Sequence, residues 1–178
     1  LKAADNLGEY AVIPKELEGV TVEGIGADAF KNNKELKGIE IPETVSYIEW
    51  GAFEGCDNLT DINIPQNVMK IEDMTFADCT SLENINIPEG IERIESGTFS
   101  GCSKLTAVPM SNNVRFIGGN AFKGGFRIQL FRLVPRLILE NNITAANTEH
   151  SGRPELFSVF ESGKRHRIGM RKIGFDRI

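Results

Sequence analysis

Apolar residues recur along this chain at a fixed interval, with polar residues filling the positions between. Phe30, Phe53, Phe76, Phe99 and Phe122 stand 23 residues apart, and Ile25, Ile48, Ile71, Ile94 and Ile117 keep the same step. Four more columns run alongside: Leu36, Leu59, Leu82 and Leu105; Ile39, Ile62, Ile85 and Val108; Ile41, Ile64, Ile87 and Met110; Val22, Val45, Val68, Ile91 and Val114. A strict period of this length marks stacked structural repeats, because one repeat alone cannot enclose its own apolar face.

Within each repeat the pattern predicts two extended pieces. "LKGIEI", "LTDINI", "LENINI" and "LTAVPM" alternate apolar and polar positions, as a strand with one buried face does. Stacking places these strands side by side in a parallel sheet, about 4.8 Å apart. Pro42, Pro65 and Pro88 follow the strands and end them by removing a backbone donor. "VSYIEW" and its equivalents predict a second wall, and the Ala-Phe or Thr-Phe segment turns the corner with its ring inside. "IQLFRLVP" at 128–135 reads as a sixth strand, with Ile128, Phe131 and Leu133 in the established columns.

The expected fold is therefore a solenoid, a right-handed coil of 23-residue repeats over residues 1–140 in five to six coils. Residues 141–154, "NNITAANTEHSGRP", predict a polar loop. Residues 155–178 predict a C-terminal β-hairpin turning at Ser162 and Gly163.

The phrase I-x-x-x-A/T-F-x-x-C-x-x-L-x-x-I-x-I-P-x-x-V resembles the BspA-like leucine-rich repeat family of bacterial and protozoan surface proteins. Coverage runs from about Tyr10 to Leu139, and "IPKELEGVTVEGIGADAF" is similar to the family's opening, with its longer first link. The resemblance implies a curved solenoid that binds, as the family's adhesins do, and it implies no catalytic residue.

Charge changes the picture in one respect. Residues 1–125 carry 20 acidic against 10 basic side chains, and residues 126–178 carry 5 against 10. An acidic body with a basic tail argues against nucleic acid as the main partner. No stretch is long and apolar enough to span a membrane. The chain opens at Leu1 without a signal-peptide pattern, so an export signal is expected to lie before it.

Candidate chemistry is sparse. Cys56, Cys79 and Cys102 share one column, which predicts three small buried free thiols at a tight turn, and parallel Cβ vectors suit disulfides poorly. His150 and His166 are the only histidines, no nucleophile elbow or H-E-x-x-H occurs, and "GGNAFKGG" lacks the frame of a phosphate loop. No enzyme, cofactor or metal site is expected.

Binding is expected on the walls. Glu40, Asp61, Asn63, Asn84 and Asn86 point outward from the broad sheet, where a hydrogen-bonding and basic protein partner fits. Tyr47, Arg93 and Phe116, with Trp50 beside them, lie outward on the second wall and belong to types enriched at interface centres. Phe157, Phe160, Ile168 and Phe175 of the tail are candidates for oligomerisation, or for capping the open end of the array. The expected function is a non-enzymatic, exported or surface protein-binding module adhering to host or matrix proteins. The alternatives are an envelope scaffold acting through homo-oligomerisation and a carrier of an apolar ligand in a hydrophobic groove.

Overall fold

This computed structural model describes residues 8–124 together with two strands of the C-terminal region, Ser158–Glu161 and Lys164–Arg167. In chain order the strands are β1 (Tyr10–Val12), β2 (Glu16–Leu17), β3 (Val20–Thr21), β4 (Gly24–Ile25), β5 (Gly38–Glu40), β6 (Tyr47–Ile48) and β7 (Asp61–Ile62). They continue with β8 (Lys70–Ile71), β9 (Asn84–Ile85), β10 (Arg93–Ile94), β11 (Phe116–Ile117), β12 (Ser158–Glu161) and β13 (Lys164–Arg167).

The broad sheet has the order β1-β5-β7-β9, parallel throughout, with Ala11, Ile39, Ile62 and Ile85 in register. The opposite wall holds β4-β6-β8 and, further along the stack, the pair β10-β11. Strands β2 and β3 form a short hairpin in the longer first link. Strands β12 and β13 pair antiparallel, Ser158 opposite Arg167. The sixth strand at 128–135, the loop at 141–154, the boundary at 140 and the side chains of Phe157, Ile168 and Phe175 lie outside the described residues. Phe160 falls on β12, where only the backbone is described.

Every twenty-third residue does lie above its counterpart. The five phenylalanine rings form one continuous internal stack, with centroids 5.1, 5.5, 5.6 and 5.4 Å apart and planes within 11° of parallel. Strand spacing sets that separation, and near-face-on stacking is accepted because the backbone ladder imposes it. All six apolar columns join one core.

The corner carrying each phenylalanine needs two left-handed residues per coil. One column is Asp28, Gly51, Met74, Gly97 and Asn120, and the other is Asn32, Gly55, Asp78, Gly101 and Gly124; all ten have φ between 55° and 77°. Gly, Asn and Asp tolerate this region, so nine of these ten residues suit their backbone, and Met74 alone does not. The corner N–H groups continue the ladder from coil to coil: Phe30 donates to the Ala52 carbonyl, Phe53 to Thr75, Phe76 to Thr98 and Phe99 to Ala121. Thr75 and Thr98, buried where other coils have alanine, donate their hydroxyls to Glu72 and Glu95 carbonyls at 2.7 Å. No buried hydroxyl of this pair is left without a partner.

The cysteine column has a specific task. Cys56, Cys79 and Cys102 are free and buried, and each Sγ donates to a phenylalanine carbonyl of the coil before: Phe30 at 3.0 Å, Phe53 at 3.2 Å and Phe76 at 3.0 Å. A small side chain with one weak donor fits a dry turn that carries a spare acceptor.

Candidate docking faces

The broad face is built by the outward residues of four strands held in register. Gly38, Asp61 and Asn84 lie in line, with Tyr10 of β1 at the edge, and Glu40 stands beside Asn63 in the adjoining line. Glu40, Asp61, Asn63 and Asn84 are all exposed, and their side chains form no hydrogen bond or ion pair among the described residues. Asp61, Asn63 and Asn84 border an open cavity of about 480 Å³ that continues over Asn86, Ala107 and Pro109.

Asn86 differs from its neighbours. Its Nδ2 donates to the Ile64 carbonyl at 3.1 Å and its Oδ1 accepts from the Ile64 N–H at 3.3 Å, so the amide imitates a strand backbone. The residue is half-buried and works within the sheet, giving the cavity a rigid wall.

Tyr10 is a member of this face that column arithmetic missed. It stands 28 residues before Gly38, because the first link is longer than the others. The signal was present in "VIP", whose Pro14 ends β1 as Pro42 follows β5. The Tyr10 ring spreads over Gly38, and two ring carbons lie 3.1 Å from where a Cβ would begin. A side chain at 38 would push the ring outward by a few tenths of an ångström, so glycine here lets the ring lie flat on the sheet. Tyr10 remains 73% exposed.

The second wall is rich in side chains that engage one another. Lys70 pairs with Glu72 at 2.6 Å, and Arg93 pairs through Nε with Glu95 at 2.7 Å. The hydrogen bond to Glu72 raises the Lys70 pKa, and the same contact lowers that of Glu72. Arg93 also lies 3.8 Å from the Phe116 ring centroid, one coil on. Trp50, 38% exposed, has the Lys31 ammonium 4.6 Å from its ring centroid, and Lys31 is held by Asp28 at 3.3 Å and Glu54 at 3.2 Å. Tyr47, 39% exposed, lays its ring in the space that a side chain on Gly24 would need. Both aromatics thus lie against the coil before them.

Burial pushes the thiols of Cys56 and Cys102 up to about 12, and that of Cys79 well above its ordinary value. Among the described residues no group of three or more His, Cys, Asp and Glu could hold a metal ion. No helix of the described residues is long and apolar enough to cross a membrane.

Known proteins share this architecture. The T. pallidum leucine-rich repeat protein is 30% identical, with a TM-score of 0.65 over 70% of this chain and 60% of its own. A leucine-rich cell surface protein of Faecalibacterium prausnitzii A2-165 is 26% identical, TM-score 0.52, over 69% of this chain and 40% of its own. The pneumococcal vaccine antigen PcpA shares the fold at 21% identity and a TM-score of 0.53, over 68% of this chain and 30% of its own. This chain thus spans less than two thirds of each of these three proteins. No curated protein matches it in sequence. The sequence profile of the BspA type leucine-rich repeat region matches residues 20–143 in six copies, and the chain belongs to that family.

Proposed function

We propose that the chain is a non-enzymatic protein-interaction module that docks partners on its broad sheet face, as part of an exported bacterial surface protein adhering to host or matrix proteins. Repeat solenoids present long, rigid binding surfaces, and a rigid surface loses little conformational entropy on association. Membership of the BspA-type family supports the interaction role, and the cell-surface relative supports the location.

The observation that carries the choice of face is the contrast between the two walls. Second-wall charges and aromatics already engage one another, whereas Glu40, Asp61, Asn63 and Asn84 stand exposed and unengaged, the last three beside an open cavity. Free polar groups on a fixed frame are what a partner can use without first breaking a contact.

Plates coated with collagen, laminin or fibronectin test the reading. The chain is expected to be retained on at least one, and Asn84→Arg, which puts a long cation into the middle of the face, to weaken retention at least about tenfold. The double variant Tyr47→Ala, Trp50→Ala is expected to bind as the parent does. Retention that survives Asn84→Arg but fails in the double variant would move docking to the second wall. Absence of retention on every plate would remove the adhesive reading.

A further inference from the structure

We propose that the N-terminal part of the broad face, formed by Tyr10, Glu40 and Asp61, is a subsite for a guanidinium group of an extended, basic protein segment. The proposal rests on the broad-face reading and names the chemistry of the partner.

Three observations converge. The Tyr10 ring spreads over Gly38 with its outer surface in solvent, and an aromatic face is a preferred seat for a cation. Asp61 is the register partner of Gly38 on the next strand, and Glu40 lies two residues along the same strand as Gly38. The backbone of Asp61 thus lies about 5 Å across the sheet from the glycine under the ring, and that of Glu40 about 7 Å along the strand, so both side chains can reach toward a cation on the ring. Neither carboxylate has a cation of its own among the described residues. The nearest lysine in the sequence, Lys37, is held by Glu9 at 2.7 Å, and that contact raises its pKa, so it stays engaged and charged.

The charge left over is negative and selects a positive occupant. Arginine fits better than lysine, because its flat fork can stack on the ring while its edge donors reach both carboxylates. Past the subsite the face changes character, through Asn63 and Asn84 to Ala107 and Pro109 along the cavity. Amides there offer both donors and acceptors to a peptide backbone crossing the strands. A segment anchored by one arginine and continuing over the cavity uses the whole strip.

Fluorescence anisotropy of a fluorescein-labelled nonapeptide alternating threonine and arginine tests this on the full chain. Its citrulline counterpart keeps the shape and removes the charge. The arginine peptide is expected to bind at least about tenfold more tightly than the citrulline peptide. Glu40→Gln with Asp61→Asn is expected to erase that preference, and Tyr10→Leu to reduce it about threefold. These are exposed positions, so circular dichroism should show all variants folded. Equal binding of the two peptides, no binding of either, or a preference unchanged by the substitutions would each overturn the subsite. If the subsite falls in this way while Asn84→Arg still releases the chain from coated plates, the broad-face platform stands without it.

Discussion

At the scale of single residues, the column at each coil's turn shows how one side chain answers several demands. Serine there would place a stronger polar group in a dry site, and alanine would remove the bond that each thiol adds to a phenylalanine carbonyl already accepting a turn N–H. Cysteine meets both needs, and burial makes the neutral thiol the favoured form. The consequence is a pH dependence whose sign is fixed. Unfolded thiols ionise near the ordinary value of 9.0, whereas those of Cys56 and Cys102 hold their protons until about 12. Between those values the folded chain binds more protons than the unfolded one, so stability is intact below about pH 9 and falls as pH rises. Each thiol contributes about 1.4 kcal/mol of loss per pH unit in that window. Urea midpoints of reduced protein from pH 8 to 10.5 should decline, and in the variant Cys56→Ala, Cys79→Ala, Cys102→Ala the decline should be shallower. Parallel slopes for parent and variant would show that the thiols are not buried as neutral groups.

At the scale of elements, position along the stack decides what a ring contributes. Phe76 has Phe53 on one side and Phe99 on the other and is fully buried. Among the described residues Phe122 has a ring neighbour on one side only, Phe99, and is slightly exposed. Phe76→Ala should cost about 3–5 kcal/mol by opening a cavity between two rigid coils, and Phe122→Ala about half as much. Chemical denaturation measures both, and equal losses would mean that ring position in the stack is irrelevant. The stack itself was readable in the sequence, because a strict period admits only one way to superpose the columns. Side-chain rotation was not readable. Alternation put Asn86 on the outward line, yet its amide turns into the sheet to serve Ile64. Alternation likewise said nothing of Arg93 lying on Phe116, since that contact crosses coils between positions of one column. Tyr10 escaped because the longer first link breaks the register that revealed the other coils. Four of the ten left-handed positions carry Asp or Asn and five carry Gly, which marks the turn chemically, whereas Met74 gives no such sign.

At the scale of the whole molecule, nearly everything is a neighbour interaction. Side-chain bonds between coils span 21 to 28 residues, as from Lys34 to the Gly55 carbonyl and from Lys37 to Glu9, and among the described residues none skips a coil. The broad sheet likewise pairs each strand only with the next. A structure held this way has no contact whose geometry depends on the total number of coils, so its stability approximates a sum over coils and the interfaces between them. Inserting a second copy of residues 70–92 directly after Glu92 tests the point at full scale. The duplicated coil meets Lys70-type neighbours on both sides, its phenylalanine enters the ring stack between equivalents, and its cysteine finds the carbonyl of the ring one coil before. The longer chain should fold, lengthen by about 4.8 Å and raise the denaturant slope in proportion to the surface added. Its midpoint should rise as well, because one new core layer and one new interface are added while the ends stay as they were. A folded but less stable product would show that some coil depends on a particular partner farther along the stack, and the nearest-neighbour account of this solenoid would have to be abandoned.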